Sequence, residues 1–151
     1  YMISDLHTFL TTTLYGYLPA AVKAVISNKH ALMEYRYSES SPGNLVNSTG
    51  QGWQDLGPLW VPLEYEVFGS TIWGTKGWSH GQGVQYPIFA NSFLNRIKGA
   101  GNGGRRCHWW TATVVSDISS GCVSVTEDGR SFHWASSLEL CVPVCFRIDE
   151  A

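Results

Sequence analysis

The chain has 151 residues, with 10 Lys+Arg against 12 Asp+Glu and a formal net charge of −2. That length suits one domain with a buried core, and 44% apolar with only 15% charged residues excludes a disordered chain. The charge balance argues against a nucleic-acid binder, which is usually basic, and no apolar run approaches the roughly 18 residues of a membrane span.

Residues 1–30 read as a helical part. Leu6, Leu10 and Leu14, with Ile3 and Phe9 nearby, recur at helical spacing. Ser4 with Asp5 supplies an N-cap and an acidic first turn, and Gly16 is the expected stop. Pro19 then opens a second helix with Val22, Val25 and Ile26 on its apolar side, ending at Asn28. Residues 31–37 alternate as a strand, and 38–54, rich in Ser, Gly and Asn, read as a long loop.

Leu59-Trp60-Val61 is a short buried segment. Pro62 starts a brief helix through Phe68, closed by Gly69. A Gly- and Trp-rich loop covers 70–84. Pro87 starts a helix over 88–98, followed by a Gly-rich turn at 99–104.

The last third, 109–148, is expected to be sheet. Trp109 to Val115 is a strand. Cys122 to Thr126 and Ser131 to Ala135 flank Glu127-Asp128-Gly129-Arg130, whose Asp-Gly pair signals a hairpin. Leu140 to Ile148 reads as one closing strand. Helices first and an antiparallel sheet later make the expected class α+β, in a single domain over 1–151.

Four cysteines stand at 107, 122, 141 and 145, without CxxC spacing. On one strand, Cys141 and Cys145 lie roughly 13 Å apart, too far for a disulfide between them. Buried free thiols are the simplest reading, though a pairing of Cys122 with either stays open. A zinc site drawn from Cys107, His108, Cys122 and His133 lacks regular ligand spacing. No metal site, no cofactor and no catalytic residue is therefore assigned. Glu64 and Glu66, two apart on a short helix, point to different sides. They read as structural carboxylates accepting backbone N–H groups at a helix start or loop.

Trp60-Val61-Pro62-Leu63-Glu64-Tyr65-Glu66-Val67-Phe68 resembles the Leu-Pro-Thr-Glu-x-Glu-aromatic signature of the formylglycine-generating-enzyme branch of the C-type-lectin-like fold. Tyr86-Pro87-Ile88-Phe89, Arg96-Ile97-Lys98, Trp109-Trp110-Thr111, Val123 and Val125 before Gly129, Cys141-Val142 and Phe146-Arg147-Ile148 extend the resemblance over about residues 55–148. Several such domains are variable proteins of diversity-generating retroelements in gut bacteria and their phages. The resemblance implies a C-type-lectin-like fold with N-terminal helices against a small sheet and long loops. It also implies display on a phage tail (virion) or a bacterial cell surface. Two departures stand out. Leu63 occupies the signature's Thr position, so the reciprocal capping box with Glu66 is broken. The closing run Cys141 to Phe146 lacks the family's Arg-Pro pair.

The calcium-binding triplets of C-type lectins proper, Glu-Pro-Asn or Gln-Pro-Asp with Trp-Asn-Asp, are absent. Arg105-Arg106 beside Trp109-Trp110 is too small a basic-aromatic cluster for nucleic acid. The residues expected to form a ligand-binding surface are Thr111, Thr113, Asp117, Ser119, Ser124, Arg130, Phe132, His133 and Trp134. Aromatic anchors mixed with small hydroxyl residues give large contact area and adaptable hydrogen bonds. Along the strand, Phe132 and Trp134 share one face and His133 takes the other. Residues 111–133 are also rich in side chains that adenine-directed mutagenesis of an Asn codon can reach, while Trp109, Trp110, Glu127 and Trp134 lie outside that set. The expected function is recognition of a host or cell-surface receptor, protein or glycan, without membrane insertion and without nucleic acid. A homo-oligomer would add avidity. The alternatives are a metal- or Cys-dependent oxidoreductase of the formylglycine-generating type and a purely structural surface module.

Overall fold

The computed structural model describes residues 4–34, 51–74, 84–100, 104–116, 118 and 120–149. The expected strand beyond residue 34, most of the 38–54 loop, residues 75–83 and the site residues Asp117 and Ser119 lie outside them. Helices come early and small antiparallel sheets follow, so the fold is of mixed α+β character.

The first helix starts where Ser4 predicts: its side chain accepts the His7 N–H at 3.1 Å. It runs through α1 (Asp5–Thr8), a π-helical stretch (Phe9–Leu14) and α2 (Tyr15–Tyr17). The wide turns coincide with threonines. Thr11 donates to the His7 carbonyl at 2.9 Å and Thr12 to the Thr8 carbonyl at 2.6 Å, which competes with the ordinary ladder. Leu10 is buried, with Leu6 and Leu14 packed beside it, while Phe9 falls on the exposed side. The expected stop at Gly16 shifts to Leu18, whose extended backbone ends the helix ahead of Pro19.

The second helix is shorter than expected. α3 covers Ala20–Lys23, with Pro19 as its N-cap, and the Lys23 ammonium caps the Gly16 carbonyl at 2.8 Å. The chain then extends into β1 (Ile26–Ser27), which pairs antiparallel with β9 (Arg147–Ile148) at the far end of the sequence. β2 (His30–Glu34) pairs with β3 (Gln51–Asp55), so the end of the expected 38–54 loop is a strand.

Residues 59–68 link two apolar cores. Leu59, Trp60, Val61 and Leu63 pack with Leu10, Ala31, Leu56 and Ala112. Val67, four residues on from Leu63 and one helical turn away, packs with Phe89, Trp109 and Val125. α4 (Glu64–Phe68) starts after Leu63, two residues later than Pro62 implies, and closes at a left-handed Gly69. Leucine has no acceptor for the N3 amide. The other half of the capping box survives: the Leu63 N–H donates to Glu66 Oε2 at 2.8 Å.

The expected 88–98 helix breaks in three. α5 (Pro87–Asn91) is followed by a 3-10 turn (Phe93–Arg96), and then by β4 (Lys98–Ala100), which pairs with β5 (Arg105–Cys107). Ser92, extended and not helical, makes the break and accepts the Leu94 N–H. The main sheet is β6 (Trp109–Val114), β7 (Gly121–Val125) and β8 (Ser131–Ala135), in that spatial order. The hairpin forms at Asp128-Gly129, with Gly129 at φ +84°. A Cβ there would also meet the Phe93 carbonyl oxygen at 3.3 Å, so the turn lies flush on the 3-10 segment.

The expected closing strand Leu140–Ile148 is a correction. Cys141 makes one bridge to Trp109 and Cys145 another to Trp60, and only Arg147–Ile148 forms a strand. Pro143 has no N–H to donate between them. No helix among the described residues is long and apolar enough to cross a membrane.

Candidate functional site

β8 pairs with β7 along one side and, among the described residues, with nothing along the other. The register places Phe132 opposite Ser124 and Trp134 opposite Cys122, while His133 stands opposite the fully buried Val123. Phe132 and Trp134 thus share one face and His133 takes the other, as the alternation predicts. Phe132 is 38% exposed and Trp134 37%. The Phe132 and His133 rings stack at 5.2 Å with 7° between their planes. Neighbouring residues leave a strand on opposite faces, so such rings meet only by leaning past its open edge. Trp73, from the loop after α4, packs edge-on against His133 at 4.5 Å and Phe132 at 6.2 Å. His108 meets the other end of the cluster, 6.0 Å from Trp134.

One carboxylate assembles this surface. Glu64, 1% exposed, accepts the backbone N–H of Trp73 at 3.1 Å and of Gly74 at 3.0 Å, and the Ser131 hydroxyl at 3.0 Å. Its own N–H donates to Thr113 Oγ1 at 2.9 Å. Glu64 therefore ties α4, the Trp73 loop, β6 and the aromatic strand β8 to one point. The structural reading of both glutamates holds, and they face different ways. Glu66 turns to the Lys29 ammonium, which also donates to the Tyr86 hydroxyl at 2.6 Å. The Trp60 indole N–H donates to the same hydroxyl at 3.1 Å. Burial first, and the Glu66 charge second, push the Tyr86 hydroxyl well above its ordinary pKa.

The expected surface is only partly assembled. Thr111 and Ser124 are buried, Thr111 donating to the Val123 carbonyl at 3.0 Å, so neither joins the exposed aromatic residues. Both strand faces are covered at those positions, which alternation alone does not reveal. Thr113 is half-buried and occupied by Glu64. Arg130 is exposed and paired with Asp128 at 3.1 Å. The Thr126 hydroxyl, with Arg130 assisting, holds the Asp128 carboxyl below its usual range. Phe132, His133 and Trp134 come together as expected. Trp73, which completes their cluster, and Glu64, which places it, were not expected there. A Trp beside Gly in a polar loop was the only signal in the sequence.

The cysteines do not converge on an ion. All four are free, and Cys141 and Cys145 sit against different cores. Among the described residues no group of three or more His, Cys, Asp or Glu could hold a metal, so the Cys107, His108, Cys122, His133 set is not assembled. Burial and then the neighbouring Cys141 thiol push Cys107 up to about 11; burial and then Glu66 push Cys145 up to about 11. Stability gained by keeping these thiols neutral is therefore full below their unfolded pKa and is lost as pH rises through the folded value. At pH 8 a thiol of pKa about 11 is roughly one part in a thousand thiolate, against about a quarter for an ordinary one. Alkylation of Cys107 and Cys145 by iodoacetamide at pH 8, mapped by mass spectrometry, is expected to be about a hundredfold slower in the native protein than in denaturant. Equal rates in the two states would contradict this assignment.

Comparison with family models, with curated proteins and with solved structures finds no significant match for this chain.

Proposed function

We propose that the chain is a receptor-recognition domain on a C-type-lectin-like frame, a variable protein of a diversity-generating retroelement displayed on a phage tail or bacterial surface. The observation that carries this reading is the aromatic cluster of Trp73, Phe132, His133 and Trp134 along the open edge of β8, held from beneath by Glu64. Rigid aromatics on a fixed strand offer contact area at low ordering cost, and a buried carboxylate lets the outer side chains change without loosening the scaffold. The mechanism is surface complementarity to a protein or glycan receptor, with no covalent step. Phe9 and Tyr17, exposed on the first helix, are the apolar groups available for self-association and avidity. Binding is favoured over the formylglycine-generating type of oxidation because the aromatic edge offers a contact surface, while Cys141 and Cys145 pack apart and the neighbouring Cys107 and Cys141 belong to no group of three or more metal-ligating side chains among the described residues.

Deep sequencing of the gene's 3′ third across one microbial population tests the proposal. Substitutions of the kind that adenine-directed mutagenesis of an Asn codon produces are expected at Arg130, Phe132 and His133, with Trp109, Thr111, Ser124 and Gly129 unchanged. Variation spread evenly, or reaching the buried Thr111 and Ser124 as often as Phe132, would overturn it.

A further inference from the structure

A cleft of about 670 Å³ lies between the 3-10 turn and the β7–β8 hairpin, beside the aromatic edge but distinct from it. Arg96, Arg106 and Arg130 line it, and Asp128 is the single acidic residue of its lining among the described residues. Asp128 is engaged by Arg130 at 3.1 Å. Arg96 and Arg106 have no acidic partner among the described residues. The Arg96 Nε is buried without a hydrogen-bond partner among them, a costly state for a charged donor. Its guanidinium carbon lies 4.8 Å from the centre of the Phe68 ring, a cation–π contact. Arg106 stands opposite Gly99 in the β4–β5 pair, so no cross-strand side chain occupies it. Between the arginines the cleft is apolar, with Phe93 and Leu94 well exposed at its rim.

Guanidinium forks match planar carboxylates and tetrahedral phosphates or sulfates in a bidentate way. Apolar walls beside them select a ligand with a hydrophobic group next to its charge. We propose that this cleft binds an oxyanion attached to an apolar group, with Arg96 and Arg106 on the oxyanion and Phe93 and Leu94 against the apolar part. The inference stands without the receptor-recognition reading, since Arg96, Arg106, Phe93 and Leu94 lie outside the aromatic cluster; the cleft shares Asp128, Gly129, Arg130 and Ser131 with the hairpin that carries that cluster.

The test is titration of the purified chain with phenyl phosphate, phenylacetate, inorganic phosphate and benzyl alcohol. Binding is followed by arginine side-chain and methyl signals in NMR. At least one aromatic anion is expected to saturate Arg96, Arg106 and Leu94 signals, more tightly than inorganic phosphate and far more tightly than benzyl alcohol. The phenyl phosphate and phenylacetate arms then distinguish a tetrahedral from a planar oxyanion. Arg106→Gln, at an exposed side chain, is expected to weaken binding by about tenfold, the worth of one charge-assisted hydrogen bond. Its unfolding midpoint should stay unchanged. Arg96→Lys, which keeps the charge but loses the fork, should also weaken binding. Benzyl alcohol binding as tightly as the anions, or Arg106→Gln binding as tightly as the parent, would overturn the proposal.

Discussion

Lys29→Met is expected to destabilise the protein by about 3–5 kcal/mol, the range for removing one partner of a buried ion pair. The Lys29 and Glu66 side chains are 14% and 5% exposed. With Lys29 gone, the Glu66 carboxylate keeps the Leu63 N–H at 2.8 Å and loses its counter-charge. The same ammonium donates to Tyr86 and lies 5.3 Å over the Trp60 ring, so both lose a neighbour that fills space and charge. At about 2–4 °C per kcal/mol for a chain of this length, the melting temperature should fall by roughly 10 °C. Thermal unfolding followed by circular dichroism measures this directly, and urea unfolding gives the free-energy loss itself. The double variant Lys29→Met, Glu66→Leu removes both charges and should recover part of the loss, because no buried charge is left unpaired. A single-variant loss under about 1 kcal/mol would place the pair with ordinary surface ion pairs and contradict its burial.

That ion pair joins residues 37 positions apart in sequence, and nothing in the spacing announces it. What was legible in the sequence was local. Leucines four apart set one face of the first helix, and Ser4 set its start. Asp128-Gly129 demanded a turn with positive φ and received one. The alternation of Phe132, His133 and Trp134 gave their faces correctly, because strand geometry leaves no other choice. The errors came from contacts between distant segments. Ile26 looks like the last turn of a helix, yet it pairs with Ile148. The apolar run from Leu140 to Ile148 looks like one strand, but Cys141 and Cys145 bridge to separate parts of the fold on either side of Pro143. Thr111 and Ser124 read as surface residues because a hydroxyl on a strand usually is one. Here other layers cover both faces of the sheet at those positions. The position of Trp73 followed from no local rule, since a buried carboxylate in another element fixes its backbone.

Glu64→Gln is expected to show how much that fixing matters. The exchange conserves shape and removes a charge, yet it is not mild at this position. Oε1 accepts from Trp73 and Ser131, and Oε2 accepts from Gly74. In either orientation the new amide NH2 faces a backbone N–H, so two donors oppose each other in a buried site. The loss should be about 2–4 kcal/mol, one or two hydrogen bonds to a charged acceptor at about 1.5–3 each. Ser131→Ala removes only a hydroxyl and leaves both backbone donors satisfied, so it should cost about 1 kcal/mol. The two variants also separate stability from the surface above it. The Trp73 ring lies 4.5 Å from His133, and its ring current shifts the imidazole signals. In Glu64→Gln those signals should move towards their free values while the protein is still folded, because the loop has lost the acceptor of its Trp73 and Gly74 N–H groups and keeps the bond from the Ser116 N–H to the Trp73 carbonyl at 2.8 Å. In Ser131→Ala they should hardly move. Unchanged His133 signals in a folded Glu64→Gln variant would mean that packing alone holds Trp73 in place. If they move, Glu64 shapes the aromatic edge from beneath, and the receptor binding proposed for that edge should fall with them.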